Sequence, residues 1–103
     1  MGNGPLAVRG NYMYFMLIYE VVDDFINRRA PFRPDHLRVL EEAHRRGELV
    51  MAGAFSDPVD GAALVFRGDD PAVARRFAEN DPYVTKGLVR NWRVRGWTVV
   101  IGG

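Results

Sequence analysis

LVMAGAFSDPVDGAALVF, residues 49–66, sets two apolar runs, Leu49 to Phe55 and Ala62 to Phe66, on either side of Ser56-Asp57-Pro58-Val59-Asp60-Gly61. Short apolar runs bounded by turn residues form strands, and a cluster of Ser, Asp, Pro and Gly between two of them reverses the chain. The stretch predicts an antiparallel hairpin at the centre of the sequence, so the fold follows from what flanks it.

On the N-terminal side, Pro34-Asp35 gives a helix start and Gly47 a helix stop. At ~100° per residue, Val39, Leu40, Ala43 and Gly47 fall on one stripe, with Leu37 and His44 at its edge and Arg38, Glu41, Glu42 and Arg45 mostly outside it. Before this helix, Val21 to Arg33 carries Asp23-Asp24, Arg28-Arg29 and Pro31, which reads as a long connection with room for a short helix. Tyr12 to Tyr19, YMYFMLIY, is an unbroken apolar and aromatic run and predicts a strand buried on both faces. On the C-terminal side, Asp70-Pro71 is an N-cap followed by Pro at the first helical position. Val73, Ala74 and Phe77 then mark a helix ending near Asn80. Leu88 to Val94 predicts a last strand and Trp97 to Ile101 a short extended tail.

The order strand, helix, strand, strand, helix, strand is the split βαβ, or ferredoxin-like, arrangement. The expected class is α+β, a βαββαβ chain whose right-handed crossovers put both helices on one face of a four-stranded antiparallel sheet. The other face stays open, yet the first three strands are apolar at nearly every position, where a solvated face would alternate with polar residues. A second copy is the economical cover. This predicts a homodimer with the open sheet faces paired in a dimeric α/β barrel.

MGNGPLAVRGN, residues 1–11, has Gly, Asn and Pro breakers and no basic region ahead of its short Leu6-Ala7-Val8 patch. It has the pattern of neither a signal peptide nor a membrane anchor, and reads as a mobile leader to a domain over residues 12–103 with a cytoplasmic location by default. Of 103 residues, 48% are hydrophobic and 26% charged, enough for one packed core. Lys and Arg number 14 against 13 Asp and Glu, a balance with no basic excess for nucleic acid. The absence of Cys removes disulfides, thiolate nucleophiles and Cys-based metal sites. His, carboxylate, hydroxyl and Arg chemistry remain.

The topology brings four segments to one end of the sheet: the Val21–Arg33 connection, the start of the first long helix, the Ser56–Gly61 turn and the stretch after Asn80. His36 stands in the first turn of that helix, at the centre of its apolar stripe, and so faces inward. Asp81 follows the second helix and precedes Pro82, which blocks continuation. A carboxylate within reach of an imidazole fixes its tautomer and stabilises its protonated form, making His36 and Asp81 a candidate acid/base pair. The plain alternative is a packing histidine and a turn-forming aspartate, and spacing does not decide whether they touch. Tyr19, Arg33, Ser56 and Tyr83 reach the same end as substrate-binding candidates. Arg28 and Arg29 stand beside them in a connection that reads equally as one able to draw in an anion or as a solvated charged loop. Ser56 has no nucleophile-elbow setting. His44 lies ~12 Å from His36 along the helix, and with no HExxH and no carboxylate cage, neither metal nor cofactor is expected.

The opening strand with Leu17-Ile18-Tyr19, Arg33-Pro34-Asp35-His36-Leu37, Gly47 with Met51-Ala52-Gly53, Asp81-Pro82-Tyr83 with Gly87-Leu88-Val89, and Trp97 together resemble the YCII-related (YciI-like) family of small α+β proteins. The resemblance covers nearly everything after the leader. It implies a ferredoxin-like dimeric α/β barrel with a His–Asp pair at the active site, here His36 and Asp81. Most such proteins have no assigned reaction, and a few are linked to lyase-type elimination of chloride from chlorinated aromatic compounds.

The expected function is a cofactor-independent enzyme acting on a small molecule by proton transfer, with lyase, isomerase and hydrolase chemistry all open. The alternative is a dimeric ligand-binding or accessory protein in which the pair only recognises a ligand or holds the loop junction together. A third reading, ranked below both, places an aromatic molecule or haem in the apolar barrel between subunits with His36 as axial ligand.

Overall fold

A computed structural model describes residues 13–103; the 1–11 leader and Tyr12, at the head of the first predicted strand, lie outside the described residues. The chain runs β1 (Met13–Val21), α1 (Phe25–Arg28), a 3-10 turn (Ala30–Phe32), α2 (Arg33–Arg45), β2 (Leu49–Ala54), β3 (Gly61–Gly68), α3 (Ala72–Asn80), α4 (Pro82–Thr85) and β4 (Val89–Trp97). The strands form one antiparallel sheet in the order β2-β3-β1-β4. That order, with β3 inserted between β1 and β2, is the ferredoxin-like split βαβ arrangement of an α+β protein.

Side-chain alternation orients the sheet. Phe15, Leu17, Tyr19 and Val21 of β1 are buried, whereas Tyr14, Met16 and Ile18 on the other face are half-buried. The expectation that β1 is buried on both faces is therefore corrected for the single chain: the helices cover one face only. Register keeps the faces in step, with Phe15 opposite Phe66 and Leu17 opposite Leu64. Leu17 also faces Val94, and Tyr19 faces Trp92. Trp92 thus packs against the helix-side core, while Trp97, opposite Tyr14, lies on the open face.

Local chemistry sets the element ends. Pro34 sits in the first turn of α2, and Gly47 follows it at φ +82°, a backbone conformation that costs a residue with a Cβ more than it costs glycine. The Asp70 carboxylate accepts from the Ala72 N–H at 2.7 Å, satisfying a donor at the head of α3. Several boundaries differ from the sequence expectation, two of them with a clear cause. β4 continues through Trp97 instead of ending at Val94, because Arg95 and Trp97 find partners in Met16 and Tyr14. Asp81-Pro82 does not merely stop a helix; it opens another, α4.

The ends of β1, β2 and α3 and the starts of α2, β3 and β4 meet at one end of the sheet. Among the described residues no helix is long and apolar enough to cross a membrane.

Candidate active site

Asp81 anchors this end. It has no solvent exposure, and a buried carboxylate costs several kcal/mol unless its oxygens are paired. Three elements supply the pairing. The Tyr19 hydroxyl of β1 donates to Oδ2 at 2.7 Å, and the Tyr83 backbone N–H of α4 donates to Oδ1 at 3.0 Å. His36 of α2 sets Nδ1 2.7 Å from Oδ1. A carboxylate only accepts, so Nδ1 carries a hydrogen and the tautomer is fixed. Nε2, on the opposite edge of the ring, has no protein partner among the described residues. It can take a proton when the ring is neutral and give one when it is charged.

The imidazole is held in plane as well. It stacks on the Tyr83 ring at a centroid distance of 3.7 Å and an interplanar angle of 10°. Tyr83 is in turn braced edge-on by Phe25 at 5.4 Å, and the Arg29 guanidinium lies 5.3 Å above the Phe25 ring. Rotation of the His36 ring would break a hydrogen bond and a stack together, so its side chain, 12% exposed, presents one edge to the outside.

That edge meets a cavity of about 320 Å³. Leu37, Leu40 and Leu64 give it apolar walls, the short side chains of Ala52, Gly53, Ala54 and Ala62 leave it room, and Arg29 and Arg33 stand at it with His36. The volume lies within the usual range for small-molecule sites.

The candidate residues fare differently. His36, Tyr19, Arg33 and Tyr83 line the cavity, with Asp81 behind them. Tyr19 has its hydroxyl committed to Asp81, so it is not free for a ligand. Burial foremost, and then the neighbouring Asp81 charge, push this phenol far above its ordinary range and keep it a donor. Tyr83 is also raised by burial, and nearby Arg29 and Arg33 partly offset the rise. Ser56 is exposed and is not among the cavity-lining residues, because the turn carries it past the end of β2. His44 bonds through Nδ1 to the Leu49 carbonyl at 2.8 Å, tying the end of α2 to β2. Of the three arginines in the connection, Arg29 and Arg33 reach the cavity and Arg28 does not. Phe25, Leu37 and Leu40 were absent from the candidates, although Phe25, Arg29, Arg33 and Leu37 recur every fourth residue, the spacing of one helical face. Among the described residues no group of three or more His, Asp or Glu side chains is placed to hold a metal ion.

Comparison with known proteins places the family and the fold. A family model described as the YCII-related domain matches residues 13–98. The protein YciI of Escherichia coli O6:H1 is 26% identical over 92 residues, which cover 81% of this chain and 94% of that protein. A solved structure of 5-chloro-2-hydroxyhydroquinone dehydrochlorinase from Burkholderia phenoliruptrix, in complex with 2,5-dihydroxybenzoquinone, superposes with a TM-score of 0.70 at 20% identity, covering 84% of this chain and 94% of that one. A protein assigned as an antibiotic biosynthesis monooxygenase from Bacteroides thetaiotaomicron gives 0.58 at 15% identity, over 91% and 94% of the two chains. At these identities the structural neighbours speak for the fold.

Proposed function

The chain belongs to the YCII-related domain family, and from that premise and the site geometry we propose that it is a cofactor-independent enzyme that moves a proton on a small molecule. The observation that carries the reading is the 2.7 Å contact between His36 Nδ1 and the wholly buried Asp81, which leaves Nε2 as the working edge at a cavity. His36 is the general acid/base. Asp81 positions it and stabilises the imidazolium that forms when Nε2 takes a proton. Loss of HCl from a hydroxylated ring, the kind of reaction named for the dehydrochlorinase neighbour, fits these parts: a base removes a proton and chloride departs with the bonding pair. An isomerisation would use the same histidine to return the proton elsewhere.

A screen of hydroxylated and halogenated ring compounds tests this by halide release and by proton exchange in heavy water. Activity found in the wild type should fall by ~10²–10⁴-fold in His36→Gln. A variant that retains the wild-type rate would remove His36 from the chemistry.

One observation favours a second reading, a binding protein without turnover. Asp81 joins β1, α2 and α4 through its bonds, and such a junction has a structural use whether or not chemistry follows. Ligands that bind without being converted would favour it.

We also propose that a second copy covers the open face. Met16, Ile18 and Val65 form its middle, and Met51 and Trp97 leave 65% and 46% of their surface exposed in the single chain. Monomers seldom expose contiguous apolar surface of this kind, and pairing two such faces buries it.

A further inference from the structure

The cavity is charged on one side only. Arg29 and Arg33 are its two permanently charged side chains, and no Asp or Glu lines it. Neither arginine forms an ion pair with a carboxylate among the described residues, although Arg38, Arg46 and Arg90 all do. Asp81, the acid nearest the cavity, has both oxygens engaged by Tyr19, Tyr83 and His36.

Position strengthens the point. Arg29 rests against the face of the Phe25 ring, which fixes the guanidinium plane and leaves its N–H edges for other partners. The Tyr83 hydroxyl lies against Arg33 without a well-formed hydrogen bond, and is the one buried side-chain polar atom without a partner among the described residues. Two guanidiniums at one cavity, with no carboxylate there to pair them, favour an anionic acceptor. Beyond the arginines, His36 and the two tyrosines the walls are apolar, and the volume suits a molecule of one ring.

We propose that the cavity binds a planar organic anion of one ring, its charged group paired with Arg33 and Arg29 and its ring laid along Leu37, Leu40 and Leu64. The proposal rests on the reading of this cavity as the substrate site and names the class of substrate it takes. Charge then does two things. It orients the molecule with one end at the arginines, which sets the far side of its ring against His36, and it disfavours neutral rings of the same shape.

Benzoate and benzamide, nearly isosteric and differing in charge, test this by calorimetric titration of the full chain. Benzoate should bind at least tenfold more tightly than benzamide, since one charge-assisted hydrogen-bonded pair is enough for about that factor. Arg33→Gln and Arg29→Gln should each lower benzoate affinity by about tenfold and leave benzamide unchanged, the amide serving as the check that the cavity is intact. His36→Gln should keep the preference. Equal binding of the two probes, an arginine variant that binds benzoate as well as the wild type, or no saturable benzoate binding in the millimolar range would each overturn the proposal. Preference for benzoate with no proton transfer on any planar acid would instead sink the acid/base reading and leave this one standing. Turnover of neutral rings without any preference for anions would do the reverse.

Discussion

Three donors from three elements converge on one carboxylate, and the most constrained of them is the Tyr19 phenol. Its ionisation is pushed upward in the fold by burial first and the Asp81 charge second. A group whose folded value lies above its unfolded value of ~10 contributes stability that is complete below that pH and lost as pH rises past it. Stability measured by urea unfolding should therefore fall above pH ~10. In Tyr19→Phe the fall should be shallower, by up to about 1.4 kcal/mol per pH unit for the missing proton. Equal slopes would mean that Tyr19 is not held protonated. At this scale much was legible: the helical stripe turned His36 inward, and Pro82 marked Asp81 as a residue at a helix end. Their contact was not, because spacing along the chain says nothing about a distance closed between residues 45 positions apart. Tyr19 was read as a ligand contact, and its true partner depended on the register of β1.

The elements were legible in kind and order, and their edges were not. α4 escaped notice although Asp81-Pro82 repeats the Asp70-Pro71 signature that announced α3; with four residues it shows no apolar period to detect. β4 outran its apolar run because its last residues are held by partners on β1, a tertiary effect invisible in local composition. Gly61, read as the end of a turn, is the first residue of β3 and passes so close to β1 that a Cβ there would run into the Tyr19 carbonyl oxygen, with the Phe55 ring behind it. Backbone cannot swing aside as a side chain can. Gly61→Ala should cost ~1–3 kcal/mol in urea unfolding and disturb the register that delivers Tyr19 to Asp81. Gly96→Ala, with open space at its Cβ position, serves as the control and should stay within ~0.5 kcal/mol of the wild type. A neutral Gly61→Ala would show that the two strands can part without loss.

For the whole molecule, the open sheet face is where the proposed dimer would form. Ile18 stands near its centre, opposite Ala63 on one side and Arg93 on the other. A glutamate there would place a charge in the proposed subunit interface without touching the helix-side core. Sedimentation velocity should find a dimer for the wild type and a monomer for Ile18→Glu, with the fold retained; a monomeric wild type would end the proposal. The apolar strands made this face conspicuous in the sequence, whereas the cavity on the other side was hidden, since its walls are gathered from β1, α1, α2, β2, β3 and α4. The same gathering bears on how the site comes into being. A cut in the Ser56–Gly61 turn would leave Tyr19 and His36 on one fragment and Asp81 and Tyr83 on the other. Neither piece holds an imidazole beside a carboxylate, so the site is a property of the closed chain, and its appearance during folding marks the moment the two halves have met.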